Sequence, residues 1–270
     1  MDTTNAIAES SWTGPGNDIL ARACEHYGGM SAWRALRKIT LLPGRLSGLL
    51  PWMKGVHKTF PLPTTFEISP HLGLTRFVGF PDSEHAGVFE NGAVRIERMA
   101  DGFVVAKSEN HRPSFDGAAG ARRWRPVDAL YFFGYALAHY HSLPFTLSQG
   151  RLIGVHTSGR GGSRSDVLDV ELPADLHTHC RRQQFYFDRQ GMLLRHDYYA
   201  QIVGIWARAA HYWNQQARFD GFPISLDRHV FARAAAVVFP VTALHATFAD
   251  AHVEFDRKSE ASRLEQLPSR

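Results

Sequence analysis

The chain has 270 residues, of which 44% are hydrophobic and 21% charged, with a formal net charge of +4. That composition suits a soluble globular protein with a sizeable core and excludes a low-complexity or disordered chain. Its Lys and Arg residues are scattered, with no run longer than a pair. The clustered charge of a nucleic-acid footprint is therefore missing, and no nucleic-acid partner is expected.

Residues 1–16 are rich in Ser, Thr, Gly and Pro and read as a disordered arm. This N-terminus has no apolar core of a signal sequence, and no later run reaches the length of a membrane span. Cys24 and Cys180 lie far apart in unlike contexts and read as a reduced pair. Together these features lead to the expectation of a cytoplasmic protein with no membrane span. Asn17 is positioned to cap a helix from Asp18 to Tyr27, ended by Gly28-Gly29 and with Leu20, Ala23, Cys24 and Tyr27 on one stripe. Ser31 then caps a second short helix, Ala32 to Arg37, that buries Trp33 and Leu36.

From Ile39 to Phe115 the pattern changes to strands. Asn91-Gly92 and Asp101-Gly102 mark tight turns of a meander. The prolines between Leu49 and His71 predict a long loop with an interrupted strand around Thr65 to Ile68. Pro126 opens the longest helical pattern, VDALYFFGYALAHYHSL, which Pro144 ends. Leu130, Phe133, Gly134, Leu137 and His141 form its main stripe, while Tyr131, Tyr135 and His139 share a neighbouring one. A helix apolar around so much of its circumference is suited to covering a sheet. Strand patterns return at 151–157 and 166–172, across the Gly-rich segment 158–165, then over Ala207 to Phe219, which Asp220-Gly221 turns into FPISLDRHVFA, and continue through two further runs between Ala235 and Val253.

The segment Arg181 to Tyr212 holds a hairpin about the turn Asp188-Arg189-Gln190-Gly191. Pairing Phe187 with Met192 places Arg181, Gln183, Phe185, Phe187, Met192, Leu194, His196 and Tyr198 on one face, apolar near the turn and polar-aromatic at the far end. That face reads as a cavity wall. Asp197 falls on the other side, opposite Arg182, as a surface ion pair.

About ten strands, with turns every 8 to 12 residues and helices at the start and middle, predict an α+β protein. Its architecture is an open, strongly curved antiparallel half-barrel with helices over the concave face. Residues 17–255 form this single domain, with a helical lid at about 126–143, and residues 256–270 form a charged tail.

The segments YGGMSAWRALRKI, YFFGYALAHYHSLPF, FYFDRQGMLLRHDY and DGFPISLDRHVF together resemble a set of uncharacterised bacterial proteins with a LolA/LolB-like fold, that of the periplasmic lipoprotein carriers. The resemblance spans most of residues 19–255. It implies an incomplete β-barrel whose helix-covered concave side holds acyl chains, and the same fold also serves a small biosynthetic enzyme of the violacein pathway.

Within that frame His196, flanked by Tyr198 and Arg181 and joined by Tyr135 and His139 from the helix, is the candidate acid–base group. A core histidine bonded to Gln183 is the alternative. Gln183, Phe185, Phe187, Leu194 and Tyr131 are the candidate ligand contacts. No metal is expected: His139 and His141 diverge on a helix, and His177 and His179 beside Cys180 lack a third ligand at defined spacing. No cofactor is expected either, because the nucleotide, dinucleotide, nucleophile-elbow and zinc-protease motifs are absent, and GRGGS at 159–163 joins two strands rather than opening a helix. The expected partner is a hydrophobic or aromatic small molecule. Two functions fit: cofactor-independent acid–base chemistry by a biosynthetic cyclase, isomerase or hydrolase, or non-catalytic carriage of a lipid or apolar metabolite.

Overall fold

Strand β1 (Leu36–Ser47) pairs on one side with β2 (Thr65–Ser69) and on the other with the last and longest strand, β13 (Val237–Phe255). From that seam two meanders spread in opposite directions. One runs through β2, β3 (Leu74–Val78), β4 (His85–Glu90), β5 (Ala93–Arg98) and β6 (Val104–Ser108). The other runs back through β12 (Phe222–Ala234), β11 (Arg208–Phe219), β10 (Leu193–Tyr199), β9 (Arg182–Phe187), β8 (Ser165–Glu171) and β7 (Arg151–Ser158). Every pairing is antiparallel, and the terminal strands β6 and β7 do not meet. The sheet is an open, curved half-barrel.

The computed structural model describes residues 11–56, 62–117, 122–159, 164–204, 206–235 and 237–256. Among them are thirteen strands, where about ten were predicted. The arm at 1–10, the greater part of the tail at 257–270 and residues 160–163 of the Gly-rich turn lie outside the described residues.

The described residues form four α-helices. Helix α1 (Pro15–His26) starts three residues before the expected site: Pro15 sits at its first position and Gly14, not Asn17, is the N-cap. Proline's fixed φ and missing N–H suit that position. Residues 11–16 of the expected arm are also structured. Trp12 is buried and donates from Nε1 to the Gly150 carbonyl at 2.9 Å. Helix α2 (Gly29–Ala35) starts three residues before Ala32, with Gly28 and not Ser31 as its N-cap, and ends two residues early, because Leu36 is already extended in β1. The Pro-rich stretch after β1 is not all loop; it contains helix α3 (Leu49–Met53). The two runs expected after Ala235 are one 19-residue strand, broken by neither Pro240 nor its neighbours.

Helix α4 (Pro126–Ser142) matches its predicted bounds. At its start Asp128 accepts the Arg125 backbone N–H at 2.8 Å, and at its end Leu143 is extended, as the residue before a proline prefers. The helix lies across β3 and β4, with close approach enabled by glycine on both partners. A Cβ on Gly134 would collide with the Phe89 side chain, and one on Gly87 would lie 2.8 Å from Leu130 Cδ1. Two hairpins carry the expected turn chemistry: Asn91-Gly92 and Asp220-Gly221 each place both central residues at positive φ.

The β9–β10 hairpin differs from its predicted register. Leu193 pairs with Phe187, and after an irregularity His196 pairs with Phe185 and Asp197 with Gln184. The extra residue puts Leu193, not Leu194, into the core, so Leu194 remains half-buried. It also separates Asp197 from Arg182. Arg182 pairs instead with Asp169 of β8, and Asp197 is buried rather than on the surface. It is held by Arg195, by Arg233 at 2.8 Å and by the Tyr186 hydroxyl at 3.0 Å.

Candidate functional site

A cavity of about 480 Å³ lies between the middle of the sheet and helices α3 and α4, within the size range of small-molecule sites. Its roof is Ala129, Phe132, Phe133, Ala136 and Leu137 of α4, with Leu50 and Met53 of α3. Its floor is the inward row of β1, β2, β3, β11, β12 and β13, including Phe66, Phe77 and Phe248. The Phe66 ring meets the other two edge to face, centred 4.8 Å from Phe77 and 6.2 Å from Phe248. Leu49, Leu62, Trp206 and Val241 line the cavity while remaining exposed, so they mark its mouth.

The inner end is chemically different. Tyr140, Tyr198, His211 and Arg228 line it and are all buried. Arg228 projects from β12 in the row Ile224, Leu226, Arg228, Val230 and Ala232, and its guanidinium lies 4.1 Å from the Trp213 ring centroid and 5.2 Å from that of Tyr140. One of its nitrogens, Nη2, donates to His141 Nε2 at 3.1 Å. His141 Nδ1 donates to the Leu137 carbonyl at 2.8 Å, which fixes the tautomer whose Nε2 lone pair receives the arginine. Burial pushes Arg228 down to about 10, so it is still a cation near neutral pH. Among the described residues its Nε and Nη1 have no hydrogen-bond partner.

Beside this end is a buried group of histidines and tyrosines. His179 bonds the Tyr135 hydroxyl through Nδ1 at 2.8 Å and the Tyr140 hydroxyl through Nε2 at 2.6 Å, and its ring stacks on Tyr198 at 4.0 Å. His196 accepts the Trp213 Nε1 proton at Nδ1, 3.2 Å away, and stacks on Phe185. Burial, reinforced by neighbouring cationic and imidazole groups, holds His179, His196 and His211 well below the ordinary histidine value. Burial likewise raises Tyr135 and Tyr198 well above the ordinary tyrosine value.

The residues expected from the sequence are divided by this arrangement. Tyr198 lines the cavity. His196 lies just behind it, packed against Tyr198 and Tyr140, and faces Phe185 rather than Gln183. Gln183 donates to the Thr178 hydroxyl and the Cys180 carbonyl. Tyr135 is tied to His179, and Tyr131 to His177 Nδ1 at 3.0 Å. His139 faces a second, smaller cavity of about 230 Å³, shared with His71 and His177. Phe185 and Phe187 are core residues with no exposed surface. Arg181 is apart from all of these: it is exposed and pairs with Glu171 at the sheet's outer strands, because the chain becomes regular strand only at Arg182. His177 and His179 each point at a tyrosine of α4, and among the described residues no three His, Cys, Asp or Glu side chains gather as a metal site.

Arg228 and His211 were not singled out from the sequence. A signal did exist: each is the polar member of an otherwise apolar period-2 row, Ile224-Leu226-Arg228-Val230-Ala232 on β12 and Ala207-Ala209-His211-Trp213 leading into β11.

No family model matches the chain, and no curated protein matches it. Among solved structures it is similar to a DUF1329 family protein from Desulfovibrio piger, with 11% identity, 91% of this chain and 95% of that one covered, and a TM-score of 0.44. It is also similar to a LolA superfamily protein from Nitrosomonas europaea, with 8% identity, coverage of 89% and 94%, and a TM-score of 0.44. A putative outer membrane lipoprotein-sorting protein domain from Vibrio parahaemolyticus gives 10% identity, coverage of 85% and 89%, and a TM-score of 0.41. The structure neighbours are thus of the DUF1329 and LolA kinds. At such scores they do not bear on what this chain binds.

Proposed function

We propose that the protein binds an apolar small molecule or acyl chain in the cavity under α4 and carries it without transforming it. The observation that supports this reading is the cavity itself: a half-enclosed space of about 480 Å³ with aromatic and aliphatic walls and an exposed apolar mouth. Water in such a space makes few hydrogen bonds, so an apolar occupant gains by displacing it.

Acid–base chemistry is the second reading, favoured by the hydrogen-bonded run Tyr135–His179–Tyr140 that reaches the cavity beside Tyr198. The protonation balance weighs against it. A general acid or base works best with a value near the operating pH, whereas burial drives these histidines far down and these tyrosines far up. His196 also lies behind the cavity wall rather than in it. Carriage is therefore the better-supported function.

Uptake of the neutral dye N-phenyl-1-naphthylamine, read by its fluorescence increase, tests the reading. The wild type is expected to take up dye, and Ala243→Trp, which fills the cavity from the half-buried β13 side, is expected to lose most of it. Dye uptake unaffected by Ala243→Trp, or no uptake by a folded wild type, would sink it.

A further inference from the structure

We propose that the cavity selects amphiphiles with one anionic head, a carboxylate above all, and that this head docks on Arg228 while the apolar tail runs toward the mouth. This rests on the binding function proposed above and names the ligand class for that site.

Three independent observations lead there. First, Arg228 is 2% exposed and has no carboxylate partner among the described residues. Its one hydrogen bond is to a neutral imidazole, and Nε and Nη1 are left over. A buried guanidinium without a counter-ion is costly, and proteins almost always pair such a charge. Here the unpaired donors belong to a residue that lines the ligand cavity.

Second, the cavity is one-sided in charge. Among the described residues Arg45, Arg208, Arg228 and Arg233 line it, and no Asp or Glu does. Arg233 is already committed to Asp197, which leaves Arg228 as the deep cation. A cationic ligand would meet only repulsion there, and a neutral one would leave the guanidinium stranded.

Third, the surroundings of Arg228 match a small planar acid. Tyr198 brings a hydroxyl to the same end, beside the Tyr140 hydroxyl that His179 engages, and both His211 ring nitrogens lack partners among the described residues. Exposed Leu49, Leu62, Trp206 and Val241 lie at the opposite, mouth end, suited to a tail. One fixed positive charge balances one negative charge, so a carboxylate suits the site better than a phosphate monoester with nearly two.

The test is competition against N-phenyl-1-naphthylamine at neutral pH by dodecanoate, dodecanol, methyl dodecanoate and dodecyl phosphate. Dodecanoate is expected to displace the dye at concentrations at least tenfold below dodecanol and the ester, which corresponds to about 1.4 kcal/mol. In Arg228→Met the acid-to-alcohol ratio is expected to fall to about one. Because the readout is a ratio within one protein, general changes in dye uptake cancel. The wild-type ratio also decides the matter if the variant fails to fold. Equal competition by acid and alcohol in the wild type would overturn the head-group assignment while leaving apolar binding intact, and stronger competition by dodecyl phosphate would overturn the choice of carboxylate. A folded wild type that takes up no dye would overturn both this inference and the binding function beneath it.

Discussion

His141 on α4 receives a hydrogen bond of 3.1 Å from Arg228 on β12, and its other ring nitrogen is fixed to the Leu137 carbonyl of its own helix. The roof of the cavity thereby positions the charged group at its inner end. Removing either member has opposite consequences. His141→Ala strands a further donor of a buried cation and is expected to cost about 1–3 kcal/mol or more. Arg228→Met keeps an unbranched chain over Trp213 and removes the desolvated charge, so stability is expected to be unchanged or to rise by about 1–4 kcal/mol. Chemical denaturation of the two variants checks this. A large loss for Arg228→Met would show that the guanidinium is already satisfied in the unliganded protein. A gain would mark the arginine as retained for binding at the expense of stability.

The buried imidazoles predict sensitivity to mild acid. Burial brings His139 down to about 4 and His141 to about 3, and places His179, His196 and His211 well below their ordinary value. Unfolded, each titrates near 6.5. Between those values the unfolded chain holds more protons than the folded one, so stability rises with pH and is complete only above about 6.5. Each group contributes up to about 1.4 kcal/mol per pH unit in that window. Thermal midpoints at pH 8 and pH 5.5 should therefore differ sharply, and a flat profile would mean that these rings are protonated or solvated in the folded protein.

Asp128 acts in a different pH window. Burial alone would raise its carboxyl, but His111, Arg122 and Arg125 outweigh that and hold it well below the usual carboxylate range. With a depressed folded value, its stabilisation is present above the unfolded value near 3.9 and is lost only as pH falls below it. Asp128→Asn should accordingly cost about 3–5 kcal/mol by leaving its basic partners uncompensated. The loss should be present at both pH 8 and pH 5.5, since both lie above the carboxyl's unfolded value, which separates it from the histidine effect. Denaturant melts at both values make the comparison.

Much of the sheet was legible because turn chemistry and alternation are local. Asn91-Gly92, Asp220-Gly221 and the Pro126-to-Pro144 helix are all where those signals put them. The β9–β10 register was not, since one extra residue after Leu193 changes which side chains face the core and no dipeptide announces it. The partners of Asp197 were illegible for a related reason: Arg233 is 36 residues away in sequence, and the β10–β11–β12 pairing that brings it close is set by tertiary contacts. The cavity's deep end was half legible. Tyr198 followed from alternation, whereas Arg228 and His211 are each one polar residue in an apolar row, a weaker local signal than the His196-Asp197 dipeptide.

Gly134 carries the closest approach of roof to wall. Its carbonyl accepts the Thr75 hydroxyl at 3.1 Å, and any Cβ there would meet the Phe89 side chain. Phe89 itself is buried between Tyr131 and His177 and has no room to retreat. Gly134→Ala should therefore cost about 1–3 kcal/mol, outweighing the gain of about 1 kcal/mol in helix propensity. Phe89→Ala alone should cost about 3–5 kcal/mol by opening a cavity. If the clash is the cause, the double variant will be more stable than the sum of the two losses implies, because the added methyl then occupies space that the ring has vacated. Additive losses in urea melts would instead place the cost of Gly134→Ala in the helix backbone, and the tight seating of α4 on β4 would no longer explain why glycine stands there.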